Sequence, residues 1–331
     1  MKKLIGAIAR RLEAHRRRKN RPFRKCRISV FGIKVPVRIH GLEEGVDLKI
    51  SQALSSVFDI RTLPRARGKL RRLQLADLKL LKIFDLVCRK HDIPYYMSFG
   101  TLLGAVRHKG FIPWDDDLDL TVPAAYREKV QAVLEKELSG TNLMLWGVDK
   151  TRWDATLRIS HRDFQFLNLD IFYDYSFSAD VTPSWRERAT AAYEKVHKKY
   201  VEEYKKMHKT ESRERIREFR ERIDAYYREL LPEMVDFDDP RAKSALLPLL
   251  APLYRLVVPT SVIWPTRRIE FEGVMLNAPN EPEAYLRELY GDFLSFPLDF
   301  TRHQSAFRGF EEAELDRIEG DLDEVYRKIG G

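Results

Sequence analysis

Residues Tyr95–Leu120 read YYMSFGTLLGAVRHKGFIPWDDDLDL, and this stretch decides the fold. Four carboxylates, Asp115, Asp116, Asp117 and Asp119, fall within five positions. Like charges so close repel one another, and a cation offsets that cost. Mg²⁺ and Mn²⁺ favour oxygen donors of this kind. Side chains alternate along a strand, so Asp117 and Asp119 are expected on one face while Leu118 and Leu120 enter the core. Asp170 has the same apolar-Asp-apolar setting in FLNLDIF and is expected on a neighbouring strand, completing a three-carboxylate metal site. Upstream, Tyr95–Phe99 reads as a strand running into Gly100 and Thr101, where a missing side chain lets backbone N–H groups approach a phosphate. An EF-hand is excluded, because its alternating oxygen ligands and central glycine are missing.

Working outward, Leu70–Lys90 has a helical stripe of Leu73, Leu75, Leu78, Leu81, Ile83, Phe84 and Val87, ended by His91-Asp92 and Ile93-Pro94. Leu102–Val106 predicts a short helix, residues 107–116 a loop, Leu118–Leu120 a strand and Ala124–Glu137 a helix. Strands are expected near 143–148, 155–160 and 166–172. Residues 27–49 alternate as a small hairpin. Residues 185–230 mix Arg, Glu and Lys with sparse apolar positions and predict a long exposed helix or a helical hairpin. The run Ala245–Trp264 carries Arg255 and three prolines and reads first as buried core and short helices and second as a hydrophobic shoulder that touches a membrane, not as a membrane span. The fold class is α+β, a mixed sheet flanked by helices.

The chain has 331 residues, 44% apolar and 33% charged, with a net charge of +9. That composition is globular. Its basic excess gathers before residue 26, where Glu13 is the one acid. Leu4, Ile5, Ile8 and Leu12 recur there at helical spacing, so residues 1–25 read either as an interfacial helix or as a solvated tail. Two cysteines, Cys26 and Cys88, exclude a disulfide framework and fit a reducing compartment. No signal peptide is expected.

The motif resembles the LicD and fukutin-related phosphotransferases. The resemblance rests on SFGTLLGAVRHKGFIPWDDDLDL, with LRI at Leu157–Ile159, LDIF at Leu169–Phe172 and AYLRELYGDFLSFP at Ala284–Pro297 in support. It implies a nucleotidyltransferase-type core and transfer of a substituted phosphate, phosphocholine first and glycerol or ribitol phosphate next. The implied donor is CDP-activated, and the implied acceptor is a sugar hydroxyl of a cell-surface glycan or glycolipid. Asp117, Asp119 and Asp170 would then be the catalytic, Mg²⁺- or Mn²⁺-holding residues. Gly100, Thr101, Arg107, His108, Lys109, Asp115, Asp116, Arg158 and Tyr290 would bind substrate. Arg158 either faces Asp170 and the phosphate or pairs structurally with an acid. Trp114, Tyr95, Tyr96, Trp153 and Tyr173 are available for a quaternary ammonium.

The corresponding division is a basic segment at 1–25, an accessory β/loop region at 26–69, a catalytic core at 70–183, a charged helical insertion at 184–233, an acceptor-side region at 234–310 and a terminal helix at 311–331. The expected place is cytoplasmic, at the inner membrane face, with the basic segment touching lipid. Three rivals remain open: a nucleotide-sugar glycosyltransferase, a nucleotidyltransferase acting on nucleic acid, and a non-catalytic glycan- or membrane-binding scaffold. Nucleic acid is the disfavoured partner, since acids interleave with the bases.

Overall fold

The computed structural model describes residues 24–30, 33–39, 54–147, 157–206, 213–247, 256–297 and 310–330. The chain forms two compact units, one from residues 1–64 and 294–305, the other from 65–293 and 306–331. In the first unit, β1 (Arg24–Val30) and β2 (Ile33–Ile39) pair antiparallel from Arg24↔Ile39 to Val30↔Ile33, the hairpin that the alternation predicts. The expectations for residues 1–23, Trp153 and the centre of the Ala245–Trp264 run lie outside the described residues.

The second unit is built on α1 (Gly68–Lys90), whose buried stripe is Leu73, Ala76, Leu80, Leu81, Ile83, Phe84, Val87 and Cys88. Leu75, expected in that stripe, is exposed, while the polar Gln74, Asp77 and Asp85 turn inward. Next come β3 (Tyr96–Met97), α2 (Phe99–His108), β4 (Leu118–Pro123), α3 (Arg127–Glu137), β5 (Leu143–Gly147) and β6 (Leu157–His161). The organising strand is β7 (Phe164–Phe177), twice the expected length. Its first half pairs antiparallel with β6 and parallel with β4. Its last residues pair with β8 (Met234–Val235) and β9 (Ser244–Leu247), and β10 (Leu256–Pro259) lies beyond β9. The result is an eight-stranded mixed sheet with helices against it, the α+β class expected.

Two helices, α4 (Pro183–Lys206) and α5 (Arg213–Leu230), form the charged segment. They are not exposed all round. Trp185, Ala189, Tyr193 and Val196 on α4, with Phe219, Ile223 and Tyr227 on α5, make a second apolar core with Tyr175 and Phe177. The Ala245–Trp264 run supplies β9, β10 and the short α6 (Thr260–Ile263), so its described ends are largely strand rather than helix. A tight hairpin of β11 (Arg267–Phe271) and β12 (Val274–Ala278) turns at Glu272 and Gly273, both at positive φ. α7 (Pro282–Tyr290) follows, and α8 (Glu312–Ile329) closes over α1 through Arg72–Asp316 and Lys79–Asp323 ion pairs. Among the described residues no helix is long and apolar enough to cross a membrane.

Candidate active site

The acidic motif sits where β4 begins. Pro113 occupies the second position of a turn closed by the Asp115 N–H donating to the Ile112 carbonyl at 3.0 Å. Buried Gln74 holds that turn from α1, its Nε2 donating to the carbonyls of Ile112 (3.2 Å) and Asp115 (2.9 Å). The turn gathers Asp115, Asp116 and Asp117 so that one oxygen from each lies within 4.8 Å of the others. Asp117 precedes the strand rather than lying in it, so it shares a face with Asp119 only loosely. Asp119 is in β4 and pairs in register with Asp170 of the parallel β7, which puts both side chains on one face of the sheet. The flanking Leu118, Leu120, Leu169 and Ile171 are fully buried.

Gly100 lies directly over this group. A Cβ placed on it would meet the Asp115 Oδ2 at 2.6 Å and the Asp119 Oδ2 at 3.8 Å, so the carboxylates use the space a side chain would need. The Thr101 hydroxyl is spent on structure. It is buried and accepts the Asp119 N–H at 2.8 Å, which fixes the strand carrying that carboxylate. Ser98 accepts the Thr121 hydroxyl at 2.9 Å, a second tie between the start of α2 and β4.

Arg158 of β6 stands opposite Asp170 and grips it with two hydrogen bonds, Nε at 2.5 Å and Nη2 at 2.8 Å. The contact is common to both readings open for Arg158, since the residue faces Asp170 and pairs with an acid, and that acid is the site carboxylate itself. Arg107, His108 and Lys109 do not begin a loop. Arg107 and His108 form the last turn of α2, and Lys109 caps it in the left-handed region at φ 56°. Arg107 is buried, donates to the Phe293 carbonyl at 3.0 Å and lies over the Trp114 ring. Burial pushes its pKa down to about 10, against the charges of Tyr290 and Asp115, so it stays a cation at neutral pH. Lys109 is exposed, and Tyr290 is half-buried at the end of α7.

Two acids escaped the sequence reading. Asp77 of α1 is fully buried, and neither carboxylate oxygen has a hydrogen-bond partner among the described residues. Burial first, then the charges of Asp117, Asp116 and Asp115, hold its pKa well above the usual carboxylate range. The Asn168 amide moderates this without reaching hydrogen-bond geometry. A helical pattern gives no hint of such a residue, because Asp77 occupies an apolar-stripe position. Glu272, at the β11–β12 turn, takes Arg71 at 2.9 and 2.7 Å and the Phe111 N–H at 3.3 Å. Burial opposes its ionisation, and the Arg71 hydrogen bonds outweigh burial, so its pKa is lowered. Its carboxylate fills the space beside Gly110 and buttresses the segment leading into the acids.

The donor set fits a hard divalent cation: oxygen atoms only, three within reach of one point and a fourth carboxylate buried without a partner behind them. Residues 92–213 match the model of the LicD/FKTN/FKRP nucleotidyltransferase domain. This segment is similar to the LicD-family nucleotidyltransferase domains. The lipopolysaccharide cholinephosphotransferase LicD of Haemophilus influenzae is 53% identical over 51 residues, 15% of this chain and 19% of that protein. An uncharacterised protein of Rickettsia typhi is 40% identical over 61 residues, 17% of this chain and 20% of its own length. Another from Rickettsia prowazekii is 48% identical over 48 residues, 14% and 18% respectively. The matched stretch thus spans about a fifth of each curated relative. The matched segment holds the acidic turn, β4, β6 and β7. Gln74 and Glu272, which brace it, and the buried Asp77 come from outside the matched residues.

Proposed function

We propose that the chain transfers a substituted phosphate, phosphocholine first, from a CDP-activated donor to a sugar hydroxyl of a cell-surface glycan or glycolipid. The observation that carries this reading is the in-register pair Asp119–Asp170 beside the Asp115–Asp117 turn, with Asp115 and Asp119 in the space a side chain on Gly100 would need. Phosphocholine ranks first because a relative sharing this stretch is named as a cholinephosphotransferase. Glycerol phosphate and ribitol phosphate are the competing groups.

In this reading Asp117 and Asp119 hold Mg²⁺ or Mn²⁺, Asp115 and Asp116 extend the ligand set, and Asp77, whose carboxyl burial and the neighbouring acids keep toward its protonated form, would give up its proton and add negative charge behind them only once the cation is bound. The bound cation would neutralise the donor pyrophosphate and stabilise departing CMP. Arg107, a buried cation beside Asp115, balances the acidic group and steadies the turn; Lys109 is exposed and would meet the donor. Asp170 already carries two guanidinium hydrogen bonds, so we assign it the orientation of the acceptor hydroxyl by its remaining lone pairs. Arg158 keeps that carboxylate aimed and adds positive charge where phosphate charge develops. Tyr290 closes the side near Arg107. The acceptor oxygen forms the new bond to phosphorus as the phosphoanhydride bond to CMP breaks. Most of the rate gain is positioning and charge stabilisation. We place the reaction at the cytoplasmic face of a membrane, with residues 1–25 as the lipid contact.

Calorimetric titration with CDP-choline, CDP-glycerol, CDP-ribitol and a UDP-sugar tests the donor class. Binding of a CDP compound that needs Mn²⁺ or Mg²⁺ and weakens ~10–100-fold in Asp119→Asn is the expected result. Tighter metal-dependent binding of the UDP-sugar would move the protein to the glycosyltransferases.

A further inference from the structure

The opposite face of β7 carries a polar cluster that the proposed reaction does not use. Tyr173 and Tyr175 alternate with Asp170, Phe172 and Asp174 and therefore point away from the carboxylates. Arg127, the first residue of α3, and Arg220 of α5 meet there, both buried. Arg127 donates to Asp224 at 2.8 Å and to the Tyr175 hydroxyl at 2.8 Å, and Tyr175 donates to Asp224 at 2.6 Å. Arg220 donates to Gln131 at 2.9 Å, and Glu128 stands 4.0 Å away with its side chain 62% exposed.

The charges balance only loosely. Two buried guanidiniums repel one another; Asp224 is hydrogen-bonded to Arg127, while Glu128 reaches Arg220 only at 4.0 Å and from an exposed position. The hydrogen bonds do not balance. Arg127 Nε, Arg220 Nε, Arg220 Nη2 and the Tyr173 hydroxyl are buried with no partner among the described residues. These groups belong together, because the Arg127 guanidinium lies 4.7 Å from the Tyr173 ring centre and both arginines act on the Tyr173 hydroxyl. Buried polar groups are almost always satisfied, and guanidinium N–H groups without a partner are complementary to the oxygens of an anion. A single oxyanion would fill several of these donors at once and lie against the loosely paired Arg220.

We propose that Arg127, Arg220 and Tyr173 form a binding site for a small oxyanion of the phosphate or sulfate class, separate from the carboxylate site. The anion ties α5 to α3 and to the back of the central strand. Asp224 and Glu128, the partly exposed members, mark the side on which it enters. This site is independent of the proposed transferase reading.

The test is calorimetric titration of the metal-free full chain, in EDTA and at constant ionic strength, with inorganic phosphate, sulfate and glycerol 3-phosphate. Wild type, Arg220→Met and Tyr173→Phe are compared. Saturable phosphate binding should weaken at least ~10-fold in Arg220→Met and ~3–10-fold in Tyr173→Phe. Tyr173→Phe removes only a hydroxyl and answers the question if Arg220→Met does not fold. Binding of phosphate but not the ester identifies a free ion, and binding of both identifies a phosphorylated small molecule. No saturable binding to wild type, or equal binding to all three proteins, overturns the site.

Discussion

Gly100, Asp77 and Asp174 show what single residues do around this site. Gly100→Ala would bring a methyl group against the Asp115 Oδ2, and that carboxylate would have to leave its place. Because the obstruction is one short side chain, we expect a small change in melting temperature and a ~100-fold or larger loss of transfer, read by unfolding and rate measurements on one preparation. Asp77→Asn should behave differently. Burial and the neighbouring acids push the Asp77 carboxyl toward its protonated form, and the amide has the same size. Stability at pH 7 should change by less than ~1 kcal/mol, while Mn²⁺ affinity in a calorimetric or EPR titration falls ~10-fold. Unchanged affinity would remove Asp77 from the ligand field.

Asp174 makes a pH prediction. Burial pushes its pKa up to about 7, against the Tyr96 hydroxyl that donates to it at 3.1 Å. The folded protein keeps a proton that the unfolded chain loses above its ordinary carboxylate pKa. Asp174 therefore costs stability progressively as pH rises from that value to about 7, with a slope up to ~1.4 kcal/mol per pH unit. Urea unfolding across this range should show that slope reduced in Asp174→Asn.

At the scale of elements, the sequence was legible where one period dominated. The stripe of α1 and the alternation around Asp119 predict a helix and a strand, and both form. Asp170 was placed on a neighbouring strand by its apolar flanks, and the register puts it beside Asp119. The far half of β7 was not read, because Tyr173, Asp174, Tyr175 and Ser176 carry polar groups on both faces and mask the alternation of a buried strand. Arg107 was assigned to a loop because its charge hid a buried helix end. The hairpin α4–α5 looked solvated because its stripe is aromatic and spaced out, Trp185, Ala189, Tyr193 and Val196 against Phe219, Ile223 and Tyr227. That stripe should be structural. Phe219→Ala should cost ~3–5 kcal/mol in urea unfolding and raise amide exchange first in α4 and α5. A loss below ~1 kcal/mol would mean that the hairpin does not depend on this core.

For the molecule as a whole, the sheet brings three separate stretches to one face: the acidic turn, the start of α2 and the middle of β7. Elements distant in sequence brace them, α1 through Gln74 and the β11–β12 turn through Glu272. Long-range support of this kind has no local signature, which is why the carboxylates were legible and their bracing was not. The central claim is that this assembly moves a substituted phosphate and releases CMP. The most direct measurement incubates the full chain with CDP-choline, CDP-glycerol, CDP-ribitol and UDP-sugars in Mg²⁺ or Mn²⁺ and reads nucleotide release by mass spectrometry, with a folded D117A/D119A double variant alongside. The account predicts CMP from one CDP donor, dependent on the cation and absent in the variant. Release of UDP with every CDP donor inert, or CMP release that survives in the variant, would contradict it.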